Sequence, residues 1–271
     1  MQNQTVWLLG GNTAASRSPE IHAAIYDRLG LPWHYALCSL SGIGPEEMLR
    51  CLWRRRAVGC NITAPFKEQV YRYLRKQADG RIRFSLSPQA QRLGSVNTVK
   101  FSAEGMYGCS TDGPGWWRAF SEEFAVNNLS GRTALLLGAG GAARALLDVL
   151  LQHDAARVWV VNRTPERARN MLKDLDHQQR CSYIGPRWQG TLPEGTVVVQ
   201  TTPCRSAEEL SAFFAWQSPP PGVIACDILY GDCPSAFIRQ AEALGLPRQD
   251  GLGMLRCQAE LAVSVWNGAD T

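Results

Sequence analysis

The stretch Thr133-Ala-Leu-Leu-Leu-Gly138-Ala139-Gly140-Gly141-Ala142-Ala143 reads as a strand, a glycine turn and a helix start in immediate succession. Gly138 permits a tight turn, Gly140 lets the backbone approach a pyrophosphate, and Ala143 takes the small-residue position that brings helix and strand together. Free backbone N–H groups at the start of the helix then face the anion. Glycine-rich turns also occur simply as turns, but here the flanking strand and helix supply the context that dinucleotide binding requires. Gly138, Ala139, Gly140, Gly141 and Ala142 are therefore candidate cofactor-binding residues.

Downstream, a second strand, Val158 to Val161, ends at Asn162-Arg163-Thr164-Pro165-Glu166-Arg167. An NAD enzyme carries an acidic residue at this point to bond the ribose 2′-hydroxyl. This sequence offers Arg163 and Arg167 instead, with Asn162 and Thr164 as hydrogen-bonding neighbours. A guanidinium pair suits a 2′-phosphate, which favours NADP over NAD. The alternative is two surface arginines at a helix start. Further strands are expected at Val197 to Gln200 and Val223 to Ile228, completing a Rossmann-type unit.

Upstream, strand and helix also alternate, which predicts an α/β fold with mainly parallel sheets. Strands are expected at Val6 to Leu9, Trp33 to Leu40 and Val58 to Ile62. Helices are expected at Ser18 to Leu29 with Ser18 as cap, Pro45 to Arg55, Lys67 to about Gln77, and Pro88 to Leu93. Asp112-Gly113-Pro114-Gly115 reads as a turn before a helix from Trp116 to Phe124, and Leu252 to Trp266 reads as a terminal helix.

Composition narrows the function classes. The 271 residues are 45% hydrophobic and 19% charged, long enough for two modest cores. The longest apolar runs fall far short of the ~20 residues of a membrane-spanning helix. Met1 to Gly10 lacks the basic start and long apolar stretch of a signal peptide, so a cytoplasmic protein is expected. The net charge of +4 and pI near 8.6 are mild, enough to help steer an anionic cofactor or carboxylate. Arg54-Arg55-Arg56 reads as the solvated end of a helix, since no aromatic-interleaved basic stripe accompanies it, and no nucleic-acid partner is expected. The 9 cysteines show no close CxxC pair, and neither a disulfide framework nor a metal site is expected.

Five further segments sit at strand ends or helix starts, where open α/β sheets place ligands. They are Ser16-Arg17-Ser18-Pro19, Asn61-Ile62-Thr63-Ala64-Pro65-Phe66-Lys67, Gly94-Ser95-Val96-Asn97-Thr98-Val99, Ser110-Thr111-Asp112-Gly113 and Gly251-Leu252-Gly253-Met254-Leu255-Arg256-Cys257-Gln258. Short hydroxyls and amides dominate them, suited to orienting a polyhydroxylated ligand. Taken singly, Ser18 is also a helix cap, Asp112 a turn residue and Lys67 a surface lysine.

In order and spacing these segments, with the glycine loop and Asn162-Arg163-Thr164, resemble the shikimate dehydrogenase family from about Gly10 to Trp266. The resemblance implies two domains: a substrate domain of 1–112 plus 249–271, to which the last helix returns, and an NADP-binding Rossmann domain of 113–248. It places the active site in the cleft between them. Lys67 and Asp112 would be the catalytic pair. Ser16 and Ser18 would bind a substrate carboxylate with Tyr230 nearby, and Thr63, Asn97 and Gln258 would hold ring hydroxyls or the reacting oxygen. Thr201, Gly251 and Met254 would join the cofactor-binding set. The implied activity is reversible hydride transfer between NADPH and 3-dehydroshikimate or a close carboxylated cyclic analogue, in a monomer or homodimer.

The chemistry follows from the residue types. Hydride addition to a ketone puts negative charge on its oxygen, so a proton donor must stand beside it, and Lys67 supplies one that Asp112 would orient. Three departures from the family pattern point to a divergent paralogue acting on shikimate, quinate or an aminoshikimate; a non-catalytic NADP(H) sensor is the alternative of another class. Ala15 stands where His is common. Gln200-Thr201-Thr202-Pro203-Cys204-Arg205-Ser206 carries Arg205 and Ser206 in place of Gly and Met, a cation expected to reshape the nicotinamide pocket or reach a second anionic group on the substrate. Tyr230-Gly231-Asp232 replaces Tyr-Asn-Pro.

Overall fold

The computed structural model describes residues 4–76 and 83–268. The expected end of the third helix at Gln77 lies outside the described residues, as do the first three and last three residues of the chain. Two compact units emerge, Met1–Gly115 with Arg256–Thr271, and Trp116–Leu255.

The first unit holds a six-stranded sheet of β1 (Gln4–Gly10), β2 (Trp33–Ser39), β3 (Gly59–Ile62), β4 (Arg83–Leu86), β5 (Thr98–Phe101) and β6 (Gly105–Cys109), in the order β2-β1-β3-β5-β6-β4. Its helices are α1 (Ser18–Leu29), α2 (Pro45–Arg54), α3 (Lys67–Arg75) and α4 (Pro88–Leu93). β1 pairs in parallel with β2 and β3, as the alternation of strand and helix predicts. β5 departs from that expectation by pairing antiparallel with both β3 and β6. Neither β5 nor β6 was legible as a strand because nearly every residue in them is buried, so no apolar–polar alternation marks them. Ser102 closes the hairpin, its Oγ accepting from the Gly105 N–H at 3.1 Å. Gly105 has no alternative there, since a Cβ would stand 1.8 Å from the Arg83 carbonyl oxygen.

The second unit is a fully parallel sheet of β7 (Thr133–Leu137), β8 (Arg157–Val161), β9 (Cys181–Gly185), β10 (Val197–Gln200), β11 (Ile224–Asp227) and β12 (Arg248–Gln249). Its order, β12-β11-β10-β7-β8-β9, is the doubly wound dinucleotide arrangement, with the reversal between β7 and β10. Its remaining helices are α6 (Gly141–Gln152), α7 (Pro165–Leu175), α8 (Ala207–Ser211) and α9 (Ala236–Ala243). The unit boundaries fall within two helices, α5 (Asp112–Phe124) and α10 (Gly251–Asn267). α5 begins at Asp112 rather than Trp116: proline in a first helical turn lacks no needed N–H, so the Gly-Pro-Gly run starts this helix instead of delaying it. Among the described residues, no helix is long and apolar enough to cross a membrane.

Alternation along β1 divides the first unit's core. Leu9 joins Leu49, Ile62, Val70 and Val99 on one side, while Val6 and Leu8 meet Tyr26, Tyr35, Ala259, Val263 and Trp266 on the other. His22 serves there as an aromatic core residue, stacked on Tyr35 at 4.0 Å between ring centres. Burial pushes its pKa down to about 3, so the ring is neutral. α10 approaches β3 closely because position 59 is glycine: a Cβ would lie 2.3 Å from Trp266 Nε1 and 2.5 Å from the Val99 oxygen. Gly59→Ala is expected to lower stability by about 1–3 kcal/mol through overpacking. Urea unfolding measures this, and an unchanged midpoint would mean that Trp266 does not bear on β3.

Candidate active site

The antiparallel hairpin that the sequence concealed assembles the polar cluster of the first unit. Thr98 of β5 lies opposite Asn61 of β3 and Cys109 of β6, so Asn97 precedes β5 where Ser110, Thr111 and Asp112 follow β6. Two backbone bonds fix this corner: Ile62 N–H donates to the Asn97 carbonyl at 2.7 Å, and Asn97 N–H to the Cys109 carbonyl at 3.1 Å. Lys67 opens α3 just after β3, and its carbonyl accepts from Val96 N–H at 3.1 Å.

Lys67 Nζ donates to Asp112 Oδ2 at 2.7 Å. The two side chains are 18% and 9% exposed, so the ammonium reaches solvent while the carboxylate hardly does. The other oxygen, Oδ1, accepts from Asn97 Nδ2 at 2.8 Å. Asn97 is otherwise committed: its Nδ2 donates to Thr111 Oγ1 at 3.0 Å, and its Oδ1 accepts from Thr111 N–H at 2.8 Å and Thr98 Oγ1 at 3.1 Å. Thr98 Oγ1 in turn accepts from Asn61 Nδ2 at 2.9 Å, and Asn61 Oδ1 from Tyr35 OH at 2.8 Å. Gln258 enters from α10, its Oε1 accepting from Thr111 Oγ1 at 3.3 Å. A substituent at Gly115 would collide with it, since a Cβ there would lie 2.6 Å from Gln258 Cβ.

Lys67, Asp112, Asn97 and Gln258 are thus one network, and Asn97 holds Asp112 rather than offering free donors. Thr111, Thr98, Asn61 and Tyr35 were not singled out as site residues. Three of them lie within or beside the quoted motifs, whereas nothing in sequence marks Tyr35. Thr63 begins the turn after β3, its carbonyl accepting from Phe66 N–H at 3.1 Å, and its methyl lies against Gly10, where a Cβ would meet it at 2.3 Å. Ser16 and Ser18 lie together, Ser16 Oγ donating to Ser18 Oγ at 3.0 Å. Ser18 is not the helix cap expected: it is the first residue of α1, Arg17 stands at the cap, and no side chain caps the helix. Ser18 N–H, the first amide of α1, donates to Ser16 Oγ at 3.2 Å and Pro19 has no N–H, so the two hydroxyls are the groups that carboxylate binding would use here.

In the second unit, Gly138 has φ of +116° and a Cβ there would stand 2.5 Å from Thr201 Oγ1. Gly140 is the opposite case, with nothing within 4 Å of its Cβ position and no side chain capping α6. Ala139, Gly141 and Ala142 complete a turn whose backbone amides can cradle a pyrophosphate. Asn162 bonds the Thr164 carbonyl at 2.8 Å and so shapes the next turn, while Arg163 and Arg167 are exposed and form no ion pair with the described residues. These residues fit NADP. Gly251 and Met254 lie in the first turn of α10, where a Cβ on Gly251 would strike the Ile228 carbonyl oxygen at 2.1 Å.

Comparison with known proteins identifies the family. The family model for the shikimate dehydrogenase substrate binding domain matches residues 8–99, and that for shikimate/quinate 5-dehydrogenase matches residues 121–205. The shikimate dehydrogenase (NADP(+)) of Bacillus licheniformis is 33% identical over 96% of this chain and 90% of its own. The chain belongs to the shikimate dehydrogenase family.

A solved shikimate 5-dehydrogenase from Thermus thermophilus, in complex with NADP(H) and shikimate, superposes with a TM-score of 0.79 at 32% identity, covering 98% of this chain and 94% of that one. Quinate dehydrogenase from Corynebacterium glutamicum, in complex with NAD, has a TM-score of 0.81 at 23% identity, covering 98% and 94%, a likeness of fold alone.

Two side chains shape the loops that follow β10 and β11 in the second unit. Gln200 is fully buried and folds back on its own loop: Nε2 donates to the Thr202 and Cys204 carbonyls at 3.0 and 3.2 Å, and Oε1 accepts from Thr202 Oγ1 at 2.8 Å. Arg205 donates to the Tyr230 carbonyl at 2.7 Å, tying the loop after β10 to the loop after β11. Among the described residues no cluster suited to a metal occurs, and the buried thiols of Cys60, Cys109 and Cys226 are pushed up by desolvation, away from nucleophilic use.

Asp227, at the end of β11, is 2% exposed, and burial raises its carboxyl to about 6. Bonds from Ser235 Oγ and Leu229 N–H, and the charge of Arg205, pull it the other way, while Asp250 adds to the rise. A folded-state value above the unfolded one favours the protonated form, so this stability is fully present below about pH 4 and is lost as pH rises through about 6. The loss totals on the order of 3 kcal/mol for a shift of this size. Asp227→Asn is expected to be the more stable protein at pH 7 and to flatten the wild-type decline between pH 4.5 and 7. Urea titrations at both values decide it, and parallel pH profiles would refute the assignment.

Proposed function

We propose that the protein catalyses NADP(H)-dependent, reversible interconversion of 3-dehydroshikimate and shikimate. The observation that carries the reading is the Lys67–Asp112 ion pair, held on its second carboxylate oxygen by Asn97 within a network that also includes Thr111 and Gln258. NADPH, when bound, supplies the hydride. Lys67 Nζ then delivers a proton to the developing alkoxide, and in the oxidative direction the neutral amine takes the alcohol proton. Asp112 fixes the direction of the ammonium, and Asn97 fixes Asp112, so neither group must reorient as charge develops.

Ser16 and Ser18 bind the substrate carboxylate through their hydroxyls; Thr63 and Gln258 contact ring hydroxyls. The glycine turn before α6 takes the pyrophosphate, and Arg163 and Arg167 take the 2′-phosphate.

Lys67→Ala is expected to lower kcat by roughly 10²–10⁴-fold, with KM for dehydroshikimate changed far less. Wild-type turnover in this variant would end the acid–base role. Replacing Arg163 and Arg167 together by alanine should raise KM for NADPH at least about tenfold, the scale of one lost charge-assisted contact, while leaving NADH kinetics unchanged. An equal effect on both cofactors would show that these arginines do not read the 2′-phosphate.

A further inference from the structure

The Arg54-Arg55-Arg56 run is not simply a solvated helix end. Arg54 and Arg56 line a pocket of about 720 Å³ in the first unit, whose aromatic wall is formed by Trp33, Trp53, Phe101 and Trp266. That volume falls in the range of small-molecule sites. Gln4 and Trp33, at its rim, begin β1 and β2, and the cluster around Lys67 lies past the other end of the same strands. Seven residues of strand separate the two ends, about 20 Å.

The chemistry of the lining is specific. Trp53 Nε1 donates to the Ser102 carbonyl at 2.7 Å and Trp266 Nε1 to the Val99 carbonyl at 3.0 Å. Both indole N–H groups are thus satisfied within the fold, and what these residues add to the pocket is ring carbon. Among the described residues no carboxylate belongs to the lining, and neither Arg54 nor Arg56 has an ion-pair partner. The nearest acid in sequence, Glu104, faces Arg83 at 3.5 Å. Two guanidinium groups without an ion-pair partner among the described residues stand beside two half-buried indoles, Trp33 and Trp53, and two buried rings, Phe101 and Trp266. This favours a flat ring bearing an anion, by stacking on the indoles and by bidentate bonding to a planar carboxylate. Arg54 closes α2, so this end of the helix presents carbonyls rather than amides. An anion there bonds to the two side chains rather than to helix amides, and the aromatic lining adds to the affinity of a ring-borne carboxylate but not to that of inorganic phosphate.

We propose that this pocket is a second small-molecule site and that it takes an aromatic carboxylate. It is independent of the reading of the Lys67 cluster, since binding is measured without turnover. Calorimetry on the full chain with indole-3-carboxylate, indole and inorganic phosphate tests it. Indole-3-carboxylate should bind saturably, indole at least about tenfold more weakly, and phosphate should not displace the carboxylate. The double variant R54Q/R56N should lose at least about tenfold in affinity while keeping wild-type turnover; asparagine is chosen because Arg56 has φ of +57°, a conformation asparagine tolerates. Absence of saturable binding, equal affinity for indole, displacement by phosphate or by shikimate, or undiminished binding in the double variant would each overturn the proposal.

Discussion

A buried carboxylate has to be held on both oxygens, and in this protein that requirement organises the first unit. Asp112 has a lysine on one oxygen and an asparagine on the other. Asn97 does this while its own carbonyl is anchored by the Thr111 amide and the Thr98 hydroxyl. The chain continues through Asn61 to Tyr35, so a polar line runs from the ammonium through β5 and β3 to β2, its last bond passing over β1. Each member is satisfied by the next, which is the condition for a polar network to rigidify a core rather than weaken it. The direction of the Lys67 ammonium is therefore set by strand pairing as much as by its own side-chain torsions.

How much of this was legible in the sequence differs sharply between the units. The second unit was readable because its signals are local: a buried strand, a glycine turn and a helix start lie side by side in Thr133 to Ala143, and two arginines stand where the ribose would be read. Strand Cys181–Gly185, at the sheet's edge, escaped because it is short and only partly buried, with no apolar run. In the first unit the functional residues were found as motifs, but the reason for their meeting was not. Asn97 and Asp112 are neighbours because β5 and β6 form a hairpin whose strands are covered on both faces, which erases the alternation that would have marked them. Tyr35 gave no signal at all, because its partner is 26 positions away and the bond depends on strand register.

Helix starts show a related division of labour. Ser87, Ser206 and Ser235 cap their helices with their own hydroxyls. At α1, α2, α3, α6 and α7 the residue at the cap makes no such bond. At α6 the glycine turn leaves first-turn amides that an anion can satisfy, whereas at α1 the Ser18 N–H already donates to Ser16 Oγ. Ser18 reads from sequence as a cap and is not one, because α1 has already begun at that residue.

Gln200 couples parts of the second unit that lie in different loops. Its amide donates to the Thr202 and Cys204 carbonyls, so the segment that leads to Arg205 is folded around this one buried side chain. Arg205 in turn clasps the Tyr230 backbone, and its guanidinium stands against Gly231. Position 200, the loop after β10 and the turn at Tyr230 are thus mechanically linked, and a shorter side chain at 200 would be felt as far as the Tyr230 backbone.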